Sequence, residues 1–100
     1  MPDWSQAFNH EQLSVDGVTG FTAAEYQPTT AGARVATKAI VTVDPTNPIR
    51  WTMDGTTPSS TVGHYLVNDT IEIQGFANIK AFRAIKQGAT AAGVSVTYLR

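Results

Sequence analysis

Few side chains in this sequence are equipped for chemistry. His10 and His64 are its two histidines, cysteine is absent, and the carboxylates stand singly along the chain. The densest grouping is Asp54, Ser59, Ser60 and His64, which share one polar stretch. A Ser-His-Asp set can transfer an acyl group when histidine takes the serine proton, but such a triad is defined by geometry and not by nearness in sequence. No G-x-S-x-G elbow is present to lift a serine onto a strand-to-helix turn, and no enzyme activity is expected. Zinc requires several His or Cys ligands at fixed spacing, and calcium requires six to eight oxygens from dense carboxylate loops. Asp44, Asp54 and Asp69 each fall at a turn instead, so no metal or other cofactor is expected. His64, beside Tyr65, reads as a surface or loop histidine. Trp51 could stack on a sugar ring, but its alternation with Ile49 and Met53 favours burial in a core.

These residues are held by one organising stretch, residues 49–66, IRWTMDGTTPSSTVGHYL. Ile49, Trp51 and Met53 alternate with Arg50 and Thr52, the period of a strand with one covered face. Asp54-Gly55 stops the alternation with a tight reversal. Pro58 stiffens the polar run that follows and biases Thr57 towards an extended conformation. Gly63 then releases the chain into His64-Tyr65-Leu66. The stretch reads as a strand, a rigid polar loop and a return.

The other segments repeat this alternation. Residues 15–26 read as a turn at Asp16-Gly17 followed by a strand carrying Phe21, Ala23 and Tyr26. Residues 33–43 (ARVATKAIVTV) form the longest strand candidate, with Val35, Thr37, Ala39, Val41 and Val43 on one face. Asp44-Pro45-Thr46-Asn47-Pro48 closes it. Residues 70–74 (TIEIQ) place Ile71 and Ile73 inward and Glu72 outward. Residues 79–86 (IKAFRAIK) carry apolar groups on both faces; length and flanking strands favour β, while Ala, Lys and Arg leave a helix open. Residues 87–93 read as a hairpin loop, and 94–99 (VSVTYL) as a last strand with Val94, Val96 and Tyr98 on one face. Six or seven short strands, with turn signals every 8–12 residues, imply an all-β fold. The expected domain is a small antiparallel β-sandwich, or a jelly-roll-like one, over residues 14–100. Residues 1–13 read as an amino-terminal arm whose Trp4 and Phe8 favour docking.

A chain of 100 residues suits one domain with a thin core. Seven basic residues against eight acidic ones give a net charge of −1, without the basic stripe of a nucleic-acid binder. No apolar run approaches a membrane span, and the amino terminus shows no basic region followed by an apolar run. A soluble chain made in the cytoplasm is therefore expected. Only 15% of residues are charged while 42% are hydrophobic, which fits a surface partly covered by a partner.

Across residues 33–100 the sequence resembles a family of small tailed-bacteriophage virion proteins. That family carries an IRY-x-x-DG-x-x-PT-x-x-x-G-x-x-L stretch, then D-x-I/L-x-L, F-x-A-I and V-x-V-x-Y strands. Here the elements read IRWTMDGTTPSSTVGHYL, DTIEI, FRAI and VSVTYLR. Trp51 stands in place of Tyr, and Ser59 in place of Thr after Pro58. The resemblance implies a structural virion protein assembled in the host cytoplasm. Its most similar members are head decoration (cement) proteins, which bind the major capsid protein on the outer shell, often as homotrimers; a neck or tail component is the neighbouring alternative. The candidate interface residues are Trp4, Phe8, Asp54, Thr56, Thr57 and Tyr65. A similar I-x-Y-T-x-DG-x-x-P turn occurs in small β-sandwich modules attached to bacterial glycoside hydrolases. A carbohydrate-binding module with Trp51, Tyr65 and residues 54–61 as its surface is therefore the second expectation.

Overall fold

The computed structural model describes residues 6–29 and 34–100. In chain order the elements are β1 (Ala7–Val15), α1 (Ala23–Tyr26), β2 (Lys38–Val43), β3 (Ile49–Thr52), β4 (His64–Leu66), β5 (Thr70–Gln74), α2 (Phe76–Ala81), β6 (Arg83–Lys86) and β7 (Ala92–Leu99). All pairings are antiparallel and build two sheets, a four-stranded one ordered β1-β7-β2-β5 and a three-stranded one ordered β4-β3-β6. The sheets pack face to face as a small all-β sandwich.

Period-two patterning accounts for the larger sheet. On β7, Ala92, Val94, Val96 and Tyr98 are buried; on β2, Ala39, Val41 and Val43 are buried. The register places Ala39 between Tyr98 and Ile73, and Val41 between Val96 and Ile71. A small residue beside two large ones lets the inner layer interdigitate without voids. In the smaller sheet Ala84 has the same role opposite Trp51. Aromatic rings connect the layers: Phe21 stacks on Phe82 with centroids 4.2 Å apart, and meets Tyr98 edge-on at 5.7 Å. Phe82 in turn lies 5.9 Å from Trp51. Offset and edge-on pairs of this kind add to the burial of apolar area.

Several expectations are corrected. Residues 7–13 are not part of an arm: they lie in β1, nine residues long and paired with β7 from Ala7 to Val15. Alternation explains it, because Leu13 and Val15 pack inward opposite Val94 and Ala92. Phe8 sits at an irregularity in this pairing, half-buried against the core, with the Arg100 guanidinium 4.3 Å from its ring centroid. Trp4 lies outside the described residues. The strand expected to end at Tyr26 is a single bridge from Thr19 to Ala84 followed by the one-turn helix α1. The strand expected over 33–43 begins at Lys38; Ala36 is buried and Val35 exposed, the reverse of the expected phase.

The region expected as a strand over 79–86 is divided. Phe76, Ile79 and Phe82 recur every third residue, a helical spacing, and Gly75 starts the turn with φ +95°. Ile79 and Phe82 are buried, and α2 ends where Phe82 turns extended. Only Arg83–Lys86 is strand. Residues 87–91 are not a hairpin loop either, since β6 and β7 belong to different sheets and the segment crosses between them.

Candidate functional site

The organising stretch folds as expected into strand, loop and return, and its loop encloses an open cleft. Asp54-Gly55 makes the reversal: Asp54 Oδ1 accepts from the Thr56 backbone N–H at 3.0 Å, and Gly55 takes φ +90°. Thr52 then ties the loop down, its hydroxyl donating to the Thr56 carbonyl at 2.5 Å. This cover explains why Thr52 is buried, although the alternation places it with outward-facing Arg50. Met53, expected on the covered face, is 40% exposed because β3 ends at Thr52 and the reversal lifts it off the sheet. Pro58 is fully buried, and the Ser59 hydroxyl accepts from the N–H groups of Thr61 and Val62 at 3.3 and 3.1 Å.

Gly63 lets the return strand approach. Its φ is +118°, and a Cβ there would lie 3.0 Å from the Trp51 carbonyl oxygen and 3.1 Å from its nitrogen. Both are backbone atoms of a paired strand, which cannot move aside cheaply. β4 then pairs His64 with Trp51, Tyr65 with Arg50 and Leu66 with Ile49. Arg50 braces the turn, donating to the Gly63 carbonyl at 3.0 Å and to Gln87 Oε1 at 2.8 Å.

The resulting cleft, about 420 Å³, is lined by Thr52, Met53, Asp54, Thr56, Gly63 and His64. Its volume falls in the range of small-ligand sites. Asp54 is its acid: hydrogen bonds from Thr56, side chain first and then backbone, hold the carboxyl below its ordinary value. Such bonds favour the charged form. The His64 imidazole makes no hydrogen bond among the described residues, acts electrostatically on Asp54, and lies 4.9 Å from the Trp51 ring.

Of the candidate residues, Asp54 and Thr56 line this cleft, whereas exposed Thr57 does not. Tyr65 is 54% exposed and belongs to another surface. Because His64 is the residue opposite Trp51, Tyr65 projects from the opposite face of the sheet. Trp51 and Tyr65 therefore form no common sugar-stacking platform, and Trp51 is half-buried against the core as its alternation implied. The Asp54, Ser59 and His64 side chains do not bond to one another: the serine and aspartate are engaged with their own loop backbone. Asp44 and Asp69 act in turns as well. Asp44 accepts from the N–H groups of Thr46, Asn47 and Gly93 at 3.0, 2.6 and 2.6 Å, and Asp69 accepts from Thr70 at 2.8 Å.

Sequence reasoning missed Thr52, Met53, Gly63 and His64 as cleft residues. A signal for them was present: once Asp54-Gly55 reverses the chain and Leu66 returns opposite Ile49, antiparallel counting places His64 beside Trp51. No group of three or more metal-binding side chains occurs among the described residues, and no helix among them is long and apolar enough to cross a membrane. Comparison with protein-family models, curated proteins and solved structures gives no match.

Proposed function

We propose that this chain is a structural protein of a tailed-phage virion, a decoration protein that docks on the outer head shell and bridges capsid subunits. The observation that carries this reading is the outer face of the three-stranded sheet. Arg50 pairs across to Tyr65 on one side and Ile85 on the other, so the three side chains share a face. The Thr19–Ala84 bridge continues the row by placing Val18, 48% exposed, next to Ile85. The Arg50 guanidinium lies 5.6 Å from the Tyr65 ring centroid, which holds both groups in place. Exposed Tyr and a braced Arg flanked by aliphatic groups are the anchors that dominate protein interfaces. The low charge content and the family resemblance across residues 33–100 support the same reading, with the major capsid protein as partner and a homotrimer as the favoured assembly.

Co-sedimentation with assembled head shells, alongside light scattering of the free protein, tests this. Tyr65→Ala should weaken shell binding about tenfold or more, the scale of a hot-spot residue, without changing the melting temperature. Wild-type binding by that variant would remove this face from the interface. Failure of the wild-type chain to bind shells would sink the assignment.

A further inference from the structure

We propose that the cleft between the β3 end and the returning strand is a receptor for a basic side chain, a lysine ammonium or arginine guanidinium presented by the docked partner. This rests on the virion reading for the identity of the partner, but the chemistry of the cleft stands on its own geometry. Asp54 is the charged side chain of the lining, and no Lys or Arg lines the cleft to neutralise it. Around it stand the Thr56 hydroxyl and the His64 imidazole, which can accept from an N–H donor. A cationic group would thus meet a carboxylate and two further acceptors, whereas an anion would meet like charge.

The apolar part fits the same ligand. Lysine and arginine carry long alkyl stems that lie along apolar surface while the charged head is solvated or paired. Met53, 40% exposed, supplies an adaptable thioether wall for such a stem. The His64 ring, backed by Trp51 at 4.9 Å, supplies a flat one. The loop is fixed before any ligand arrives, by Thr52 on the Thr56 carbonyl, Arg50 on the Gly63 carbonyl and the Asp54–Thr56 turn. Preorganisation lowers the ordering cost that otherwise limits a small contact.

The test uses nitrogen-labelled protein titrated with N-acetyl-lysine-methylamide and, in parallel, with N-acetyl-norleucine-methylamide, which has a similar stem without the ammonium. The lysine probe should shift the amide signals of Asp54, Thr56, Gly63 and His64 saturably, with a dissociation constant of about 1–10 mM. The shifts should weaken at high salt. The norleucine probe should leave them unmoved. Asp54→Asn keeps an oxygen for the Thr56 N–H and removes the charge, so it should lose about tenfold or more in lysine affinity with the rest of the spectrum superimposable. Equal response to the two probes, or unchanged affinity in Asp54→Asn, would overturn the proposal. The shell arm separates the two readings. If wild type binds both lysine and shells, Asp54→Asn should also bind shells more weakly; undiminished shell binding would remove the cleft from the interface. If wild type binds lysine but no shell, the virion assignment fails, and with it the partner named here.

Discussion

Glu11 and Asp54 are both carboxylates within hydroxyl-rich surroundings, and the molecule uses them in opposite ways. Glu11 lies on the inner side of β1, opposite buried Val96, and both its oxygens are occupied. One accepts from the Tyr98 hydroxyl and from the Thr22 N–H at 3.1 Å; the other accepts from the Thr22 hydroxyl at 2.6 Å. Asp54 takes its donors from Thr56, two residues along the same loop, and lines an open cleft. In this small β-sandwich a fastener and a site differ in where a carboxylate finds its donors. A carboxylate whose partners come from distant strands closes the fold. One whose partners are its own neighbours is held in position and remains available to something else.

Removing the Glu11 carboxylate should cost the fold most. Glu11→Ala leaves the Tyr98 hydroxyl, on a residue with no exposed area, and the Thr22 N–H without their acceptor. Stranding the buried Tyr98 donor, with the loss of the exposed Thr22 bonds added, costs roughly 2–3 kcal/mol, which lowers the melting temperature by about 10–20 °C in a domain of this size. Burial, and then the bond to Glu11, push the Tyr98 phenol well above its ordinary value, so it stays a neutral donor throughout the useful pH range. Tyr98→Phe, which removes one bond and keeps the ring, should cost less, about 1 kcal/mol. A Glu11→Ala protein that melts with wild type would show that the distinction between fastener and site is false.

The sequence disclosed one of these carboxylates more readily than the other. Asp54 precedes glycine at the end of an alternating run, and local pattern alone identifies its turn. Glu11 appeared as one of several polar residues in an arm. Its role depends on β1 pairing with β7, some eighty residues away, and on α1 bringing Thr22 over it. The same contrast holds for the fold. TIEIQ and VSVTYL have one apolar face each, and their strands lie where alternation puts them. Residues 76–82 did not yield to that reasoning, because a single helical turn offers only Phe76, Ile79 and Phe82 as its period. Starting the window at Ile79 loses the first of the three. Met53 and Thr52 exchanged their expected burial for a related reason: the strand ends one residue before the alternation does, and the loop folds over what precedes it.

Asp44, a third carboxylate, should contribute less than Glu11 and in a way that depends on pH. Asp44 resembles Glu11 in joining distant segments, since its other oxygen reaches Gly93 near the start of β7. Backbone hydrogen bonds, from Asn47 first and then Gly93, lower its pKa from 3.8 to about 2. The folded value is below the unfolded one. Its contribution to stability is therefore complete above about pH 4–5 and is lost as pH falls towards 2. Thermal melts from pH 5 to pH 2 should show the gap between wild type and Asp44→Asn narrowing steadily through that window. A gap constant over the whole range would mean that charge on Asp44 is not what fastens this loop.

On the outer face of the four-stranded sheet polar side chains pair with one another, and the exposed pairs among them should contribute least. Thr42 and Thr70, opposite each other on β2 and β5, approach to 3.0 Å through their hydroxyls. Nearby, Lys38 meets Glu72 at 3.4 Å, and His10 bridges Thr97 and Gln12 at 3.0 and 2.9 Å. The Thr42–Thr70 and His10–Thr97 bonds link strands, yet both are exposed, water competes for them, and such a pair exchanges one hydrogen-bond partner for another at little net gain. A double-mutant cycle with Thr42→Val and Thr70→Val isolates the pair, and its coupling should be about 0.2–0.5 kcal/mol. Both valines suit a strand, so neither variant should melt far from wild type. A coupling near that expected at Glu11 would mean that strand-to-strand bonding alone makes a fastener. A small one assigns the difference to burial, which the Tyr98 end of the Glu11 bond has and this ladder lacks.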